Sequence, residues 1–232
     1  MNFETKNVII EERKSLGIAY GILKLKLMDF VVKTAQSGKK QFIFLVEDDN
    51  PVGEDGFEYE GVLGKRKAVN KSGRVDATIY MDTANVTDVN KFVTNFVVVL
   101  ANKINCRAEL AALDEINFNS LEDYLKAAMK VIGNKYVYLP IKAEEYVYNG
   151  KVGINRSFKY WGKDKPLTVF PAESTVIKEG NVWKLTTPEG VEYIWDKNSP
   201  YDYKVAAIPD ADQLPTDVSG GTTAPALNDL PF

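Results

Sequence analysis

Aromatic rings and cations alternate along residues 135–161, KYVYLPIKAEEYVYNGKVGINRSFKYW. Flat rings stack on nucleic-acid bases of any sequence, and nearby cations neutralise phosphates, so this pattern is typical of a surface for single-stranded nucleic acid. Tyr160 and Trp161 are neighbours and would lie on opposite faces of a strand, so we expect at least one of them to be buried. The rings that could stack are Tyr136, Tyr138, Tyr146, Tyr148, Phe158, Tyr160 and Trp161.

A two-stranded hairpin is needed to present these rings. Asn149-Gly150 between two strand-like runs is the strongest short signal for such a turn. In the first run, Val137, Leu139 and Ile141 fall on one face of a strand, and the tyrosines between them fall on the other. We expect the first face to enter a core and the second to bind a ligand. The alternative is that the tyrosines only cover a second layer.

Basic residues that could hold phosphates occur in several parts of the chain. The densest run is residues 65–74, KRKAVNKSGR, with five cations in ten residues around a Ser72-Gly73 turn. It is either wet surface or a phosphate-binding segment. Residues 47–60 before it carry seven acids and no cation, which predicts a solvated loop that lies away from DNA or guards its edge. The candidate phosphate-binding residues are Lys39, Lys40, Lys65, Arg66, Lys67, Lys71, Arg74, Lys151, Arg156 and Lys159.

Composition narrows the class of protein. The chain has 232 residues, of which 45% are hydrophobic, enough for a substantial core. A single cysteine, Cys106, excludes an internal disulfide framework, and the lack of His removes the commonest general base. The acids of 47–60 could hold Mg²⁺ for nuclease chemistry, but nothing pairs with them at a defined spacing. We therefore expect no catalytic residue, no metal and no cofactor.

The ends of the chain predict its location and its linker. The polar start, MNFETKNVIIEERK, predicts no secretory signal, and the longest apolar run is too short to cross a bilayer. We therefore expect a cytoplasmic protein with no membrane contact. The net charge of −3 is uneven, because the chain after Lys204 holds four Asp and no cation. Residues 209–232, rich in Asp, Pro, Gly and Thr, predict a disordered acidic tail.

The order of elements predicts the architecture. Alternating patterns predict strands over residues 16–30, 41–46 and 75–81, followed by helices over 87–104, 106–116 and from the N-cap Ser120 to Gly133. After the 135–161 hairpin, residues 175–177, 182–186 and 191–195 predict a small hairpin whose Trp183, Tyr193 and Trp195 serve as core or interface. The fold class is mainly β with a helical insertion (α+β). It is a five-stranded OB barrel with helices between strands 3 and 4 and a C-terminal β-hairpin extension. The expected domains are residues 1–162, 163–208 and 209–232.

The closing residues resemble those of a known family. Asn228-Asp229-Leu230-Pro231-Phe232 is similar to the acidic tip of the single-stranded-DNA-binding proteins of bacteria and their phages, and residues 15–162 look most like phage versions with EEYVYNGK-type hairpins. The resemblance implies a non-enzymatic protein that coats single-stranded DNA during replication, recombination or repair, in the bacterial host cytoplasm if phage-encoded. It also implies that the tip docks a polymerase, primase or helicase, with Phe232 in an apolar pocket and its α-carboxylate on a basic residue. A homo-oligomer is compatible with this interpretation. The implied docking residues are Asp229, Leu230, Pro231 and Phe232.

Two further functions stay open at this point. A recombination mediator or strand-annealing protein would pair complementary strands where a coating protein holds them apart. A phage structural or adaptor protein would ignore oligonucleotides and assemble with copies of itself. An annealing assay separates the first alternative, and size-exclusion chromatography separates the second.

Overall fold

The computed structural model describes residues 20–34, 36, 38–48, 57–68, 74–148, 151–158 and 165–206. These residues form a mainly β protein with a helical segment in the middle, so the predicted α+β class is confirmed. The strands are β1 (Gly21–Thr34), β2 (Lys40–Asp48), β3 (Phe57–Gly61), β4 (Gly64–Ala68), β5 (Arg74–Met81), β6 (Tyr136–Tyr148), β7 (Lys151–Phe158), β8 (Phe170–Pro171), β9 (Thr175–Glu179), β10 (Val182–Thr186), β11 (Glu192–Asp196) and β12 (Tyr203–Lys204). The helices are α1 (Val86–Phe92), α2 (Val99–Lys103), α3 (Arg107–Ala111) and α4 (Leu121–Ile132).

The main sheet contains the five strands that the sequence predicted for the body. Its order is β12-β6-β1-β2-β5, and β7 and β8 also pair with β6. The helices lie between β5 and β6, the third and fourth of those five strands, as predicted. β5 and β7 approach each other, but no backbone ladder joins them within the described ranges. The sheet is therefore open along that seam, and a closed barrel is not confirmed.

The helices pack on one face of the main sheet. Phe30, Phe42 and Phe44 from the strands meet Phe92 and Phe96 from the helical segment, and all five rings are fully buried. Apolar burial of this kind is the main stabilising contribution to such a fold. This main core fixes which face of β1, β2 and β6 points outward.

Helix α4 matches its sequence signals. The Ser120 side chain accepts a hydrogen bond from the Asp123 N–H at 3.1 Å, as an N-cap does. Gly133 follows the last helical residue, and its N–H donates to the Met129 carbonyl. The prediction of this helix is confirmed at both ends.

The other two predicted helices are less regular than expected. The segment predicted as one helix over 87–104 is α1, a π-helical stretch at Val93–Val98, and α2. β-branched side chains are stiff in a helix, and Val97, Val98 and Val99 fall where the π-helical stretch passes into α2. The helix predicted over 106–116 is the short α3 followed by a 3₁₀ turn at Ala112–Glu115.

The charged region before β5 contains a hairpin that the sequence analysis did not predict. Residues 57–60, assigned to a solvated loop, belong to β3, which pairs with β4. Tyr59 packs from this hairpin against Met28, Ile43 and Leu45, on the face of β1 and β2 opposite the main core. Strands this short and this charged lack an apolar alternation, so only their tertiary contact identifies them.

The first strand bends. It begins at Gly21, whose positive φ of 117° is a conformation that favours glycine. The predicted start at residue 16 lies outside the described residues. The pairing with β2 shifts register between Leu27 and Asp29, which is a β-bulge.

The C-terminal extension is a three-stranded sheet, β9-β10-β11, docked on the body. Trp183 and Trp195 are buried, as predicted, in a second apolar cluster with Ile22 of β1. The Trp195 Nε1–H donates to the Ile141 carbonyl of β6 at 3.0 Å. β8 and β12, which come before and after this small sheet in the chain, pair with β6 and belong to the main sheet.

Candidate nucleic-acid interface

Strand β6 separates its two faces as the sequence predicted. Val137, Leu139 and Ile141 are buried in the main core. Tyr136 and Tyr138 alternate with them, lie on the opposite face and are half-buried. We call this the outer face, the surface of β1 and β6 opposite the main core.

Two lysines that sequence reasoning did not select lie beside these tyrosines. In the antiparallel pairing of β1 with β6, Lys24 is opposite Tyr138 and Lys26 is opposite Tyr136. The Lys24 Nζ lies 5.8 Å from the centroid of the Tyr136 ring. The alternation of Lys24 and Lys26 with Leu23, Leu25 and Leu27 indicates that the two lysines face away from the core. Their pairing with β6 could not be predicted from sequence. The outer face thus joins two rings and two cations within one patch.

Structures on both sides border this patch. Toward the start of β1, Ile22 and Tyr138 contact the second apolar cluster, and Phe170 of β8 pairs with Tyr138. Toward its end, Met28 lies under Tyr59 of the β3–β4 hairpin. From Ile22 to Met28 the strand spans about 20 Å. The outer face is therefore a trough between the extension and the hairpin, with Tyr136 farther than Tyr138 from the extension.

Tyr146 extends the outer face toward the far end of β6. The unbroken pairing of β6, with β1 and then with β7, puts Tyr146 on the same face as Tyr136. Tyr146 is 44% exposed and lies over Gly153, where an added Cβ would stand 2.4 Å from its Cζ. Gly153 therefore allows the ring to lie close to the backbone of β7.

Phe158 and Arg156 lie on the other face of β7. Phe158 is 3% exposed in the main core, with its ring centroid 6.1 Å from that of Phe44. This position contradicts a stacking role for Phe158, because its ring cannot meet a base. Arg156 shares that inward parity, is half-buried and has its pKa lowered by burial. The sequence alone did not predict the inward orientation of Phe158 and Arg156, because the pairing of β7 with β6 decides which residues of β7 face the main core.

A buried carboxylate anchors the β3–β4 hairpin beside the trough. Asp29, at the bulge of β1, is fully buried and accepts hydrogen bonds from the Phe30 N–H at 2.8 Å and the Leu63 N–H at 3.3 Å. Burial raises the pKa of Asp29, and the two N–H groups and Arg66 oppose that rise. A Cβ at Gly61 would stand 2.1 Å from the Asp29 Oδ2, so the hairpin approaches closely because that residue is glycine.

The predicted phosphate-binding residues whose side chains are described lie on several different elements. Lys39 is exposed at the β1–β2 turn, whereas Lys40 forms an ion pair with Glu122 of α4 at 3.2 Å. Lys65 is exposed but stands opposite Glu60 in the β3–β4 pairing, and Arg66 is half-buried opposite Tyr59. Acids next to these cations weaken their attraction for phosphate. The hairpin cations therefore make weaker candidates than Lys24 and Lys26.

The side chains of several predicted residues are outside the described part of the molecule. For Lys67, Arg74, Tyr148 and Lys151 the structure describes the backbone in a strand and not the side chain. The remaining predicted residues, outside the described ranges altogether, are Lys71, Lys159, Tyr160, Trp161, Asp229, Leu230, Pro231 and Phe232.

No known protein family matches the chain, and no curated protein sequence matches it. Across the described ranges, no helix combines the length and the apolar character that a membrane crossing needs. In those same parts of the chain, no three Cys, Asp or Glu side chains are grouped so that they could hold a metal ion. The outer face is the candidate site because it brings two rings and two lysines together.

Proposed function

We propose that this protein coats single-stranded DNA without sequence preference and is not an enzyme. The observation that carries the proposal is the pairing of Lys24 with Tyr138 and of Lys26 with Tyr136 across β1 and β6. Bases stack on the tyrosine rings, each contributing about 1–3 kcal/mol, and the lysines neutralise the neighbouring phosphates. Stacking tolerates every base, which is what a coating protein requires.

An OB architecture for the body is part of this proposal. The pairing order β7-β6-β1-β2-β5, with helices between β5 and β6, supports it, because an OB barrel joins its five strands in this order. The bulge of β1 at Asp29 also supports it, since small barrels need bent strands. In this arrangement the strand face and the adjacent loops bind the nucleic acid, and here that face is the trough.

The tail of the chain would recruit partner proteins. The described chain ends beside β6, where Lys204 forms an ion pair with Glu144 at 2.5 Å and the Ala206 N–H donates to Glu145 at 3.3 Å. The residues that follow carry four Asp and end in Leu230, Pro231 and Phe232. The aromatic ring of Phe232 and the carboxylate of Asp229 offer two anchors of different chemistry for a polymerase, primase or helicase.

Titration with poly(dT) tests the DNA-binding proposal directly. Bound bases should quench the intrinsic fluorescence of the tyrosines, and affinity should fall as salt rises, with a slope of about 0.7 per phosphate contacted. The matched control is duplex DNA of the same length, which we expect to bind at least about a hundredfold more weakly, because its bases are not free to stack. Equal affinity for the two, or binding without quenching, would remove the stacking proposal.

A further inference from the structure

Cys106 and Lys135 form a contact that the proposed DNA binding does not use. The two residues are 29 positions apart in the chain, and the Lys135 Nζ donates a hydrogen bond directly to the Cys106 Sγ. Cys106 is 2% exposed at the start of α3, whereas Lys135 is half-buried just before β6. Among the described residues, no carboxylate forms an ion pair with Lys135, so the thiol is the partner of this amine.

Backbone hydrogen bonds hold both residues in place. The Cys106 N–H donates to the Ala101 carbonyl at 2.8 Å, where α2 gives way to α3. The Leu27 N–H donates to the Lys135 carbonyl, also at 2.8 Å, which fixes Lys135 to β1. A nucleophile held against its target reacts as if it were present at a very high concentration. The pair is therefore arranged for a reaction between sulfur and nitrogen.

The chemistry open to this thiol is narrow. Cys106 is the single cysteine of the chain, so it cannot form a disulfide within the chain. An oxidised thiol, the sulfenic acid, also condenses with a neighbouring nitrogen, and the nitrogen in contact here is the Lys135 amine. Burial of Cys106 keeps bulky oxidants away from the sulfur. Hydrogen peroxide, which is small and uncharged, is the oxidant that fits.

We propose that Cys106 and Lys135 form a reversible oxidative modification site, at which hydrogen peroxide joins the Cys106 Sγ to the Lys135 Nζ. First, the O–O bond of peroxide breaks, one oxygen bonds to sulfur as the sulfenic acid, and the other leaves as water. The neutral Lys135 amine then attacks sulfur, so that an N–S bond forms, the S–O bond breaks, and the hydroxyl leaves as water with one amine proton. Sulfur is oxidised by two electrons and peroxide is reduced by two. An added thiol attacks the sulfur, frees the amine and leaves a mixed disulfide, which a second thiol reduces.

The crosslink strengthens the fold and leaves the trough unchanged. Lys135 contacts α3 on the core side of the sheet, whereas its neighbour Tyr136 belongs to the outer face. A covalent link between α3 and the start of β6 restrains the unfolded chain, so the oxidised protein should unfold about 5 °C higher than the reduced protein. It should keep its affinity for oligo(dT). The inference therefore does not depend on DNA binding, and the two proposals fail separately.

Peptide mass spectrometry of the full-length protein tests the crosslink. After treatment with hydrogen peroxide and digestion with trypsin without reductant, residues 104–107 should be joined to residues 131–142, because trypsin does not cleave after a modified Lys135. The joined peptide should be about 2 Da lighter than the sum of its parts, and dithiothreitol should separate it. The proposal is overturned if Cys106 stays a free thiol in peroxide that fully oxidises free cysteine in a parallel tube.

Lys135→Arg makes the test specific, because the guanidinium keeps the positive charge but cannot lose its proton to become a nucleophile. In this variant the Cys106 peptide should gain oxygen, and no joined peptide should form. Lys130→Arg, which changes an exposed lysine on α4, is the matched control and should crosslink like wild type. Equal gain of oxygen at Cys106 in wild type and in Lys135→Arg would show that Lys135 does not capture the sulfur, and would overturn the proposal.

Discussion

The ring of Trp183 packs directly on the backbone of Gly21, so that a Cβ at Gly21 would stand 2.6 Å from the Trp183 Cε2. The Lys178 Nζ also lies over this Trp ring, 4.5 Å from its centroid. The contact joins the first residue of β1 to the C-terminal sheet, and thereby builds one wall of the trough that contains Lys24 and Tyr138. The shape of the candidate site therefore depends on a glycine that touches no ligand.

Gly21→Ala should destabilise the protein strongly. Its φ of 117° disfavours any side chain, and the new Cβ would collide with Trp183. Together these effects cost about 3 kcal/mol. The control is Gly180→Ala, which has a φ of 58° and nothing within 4 Å, and which should cost only about 1 kcal/mol. Thermal unfolding measures both, and equal losses would show that the Trp183 contact is not tight.

Removing Lys24 and Lys26 should weaken DNA binding through charge alone. The double variant K24A/K26A should lower the salt dependence of binding by about 1.4 in the slope, since each contact contributes about 0.7. The matched control is K126A/K130A on α4, which removes two exposed lysines from a different element and should leave the slope unchanged. A slope that both variants lower equally would mean that general charge, and not the outer face, attracts the strand.

Tyr136 should contribute by its ring and not by its hydroxyl. Tyr136→Ala should cost about 1–3 kcal/mol of binding free energy to oligo(dT), whereas Tyr136→Phe keeps the ring and should bind within about twofold of wild type. Tyr201→Ala serves as the control, because Tyr201 is 71% exposed on the loop between β11 and β12. Fluorescence anisotropy measures all three affinities. If the Phe variant loses as much as the Ala variant, the Tyr136 hydroxyl and not stacking is responsible.

The sequence was sufficient where local patterns determine structure and insufficient where distant pairings do. The faces of β6 followed from the alternation of Val137 with its neighbours, and α4 followed from its cap at Ser120. The β3–β4 hairpin did not, because its strands are charged and its apolar anchors contact distant parts of the chain: Tyr59 meets residues of β1 and β2, and Val62 and Leu63 pack on the main core. The inward side of Phe158 depends on the register between β7 and the neighbouring β6, and the pairing of Lys24 with β6 joins strands that are far apart in the chain. Lys24 and Lys26 were therefore not selected from sequence, whereas Tyr136, Tyr138 and Tyr146 on the same face were.

Stability should fall with rising pH through the titration of Asp29. Its pKa is raised in the folded protein above the ordinary value of 3.8, so the folded state holds this proton more tightly than the unfolded chain does. The favourable contribution is therefore complete below pH 3.8 and is lost as pH rises through the raised folded value. Asp29→Asn should flatten this part of the curve of unfolding free energy against pH. Glu109→Gln, which changes an exposed carboxylate on α3, is the control. Curves for wild type and Asp29→Asn that stay parallel would contradict the assignment.

Deleting the last seven residues should separate DNA binding from partner binding. The described chain ends at Ala206, after Lys204 pairs with Glu144 beside β6. The four Asp residues that follow in the sequence should compete with phosphates for the cations of the proposed DNA face, so the truncated protein should bind oligo(dT) equally or slightly more tightly. It should no longer retain a polymerase, primase or helicase in a pull-down. Phe232→Ala is the finer variant, because it removes the ring while keeping every acid and the carboxylate. Retention of those partners by the truncated protein would show that they bind the body, and the tip would then have no docking role.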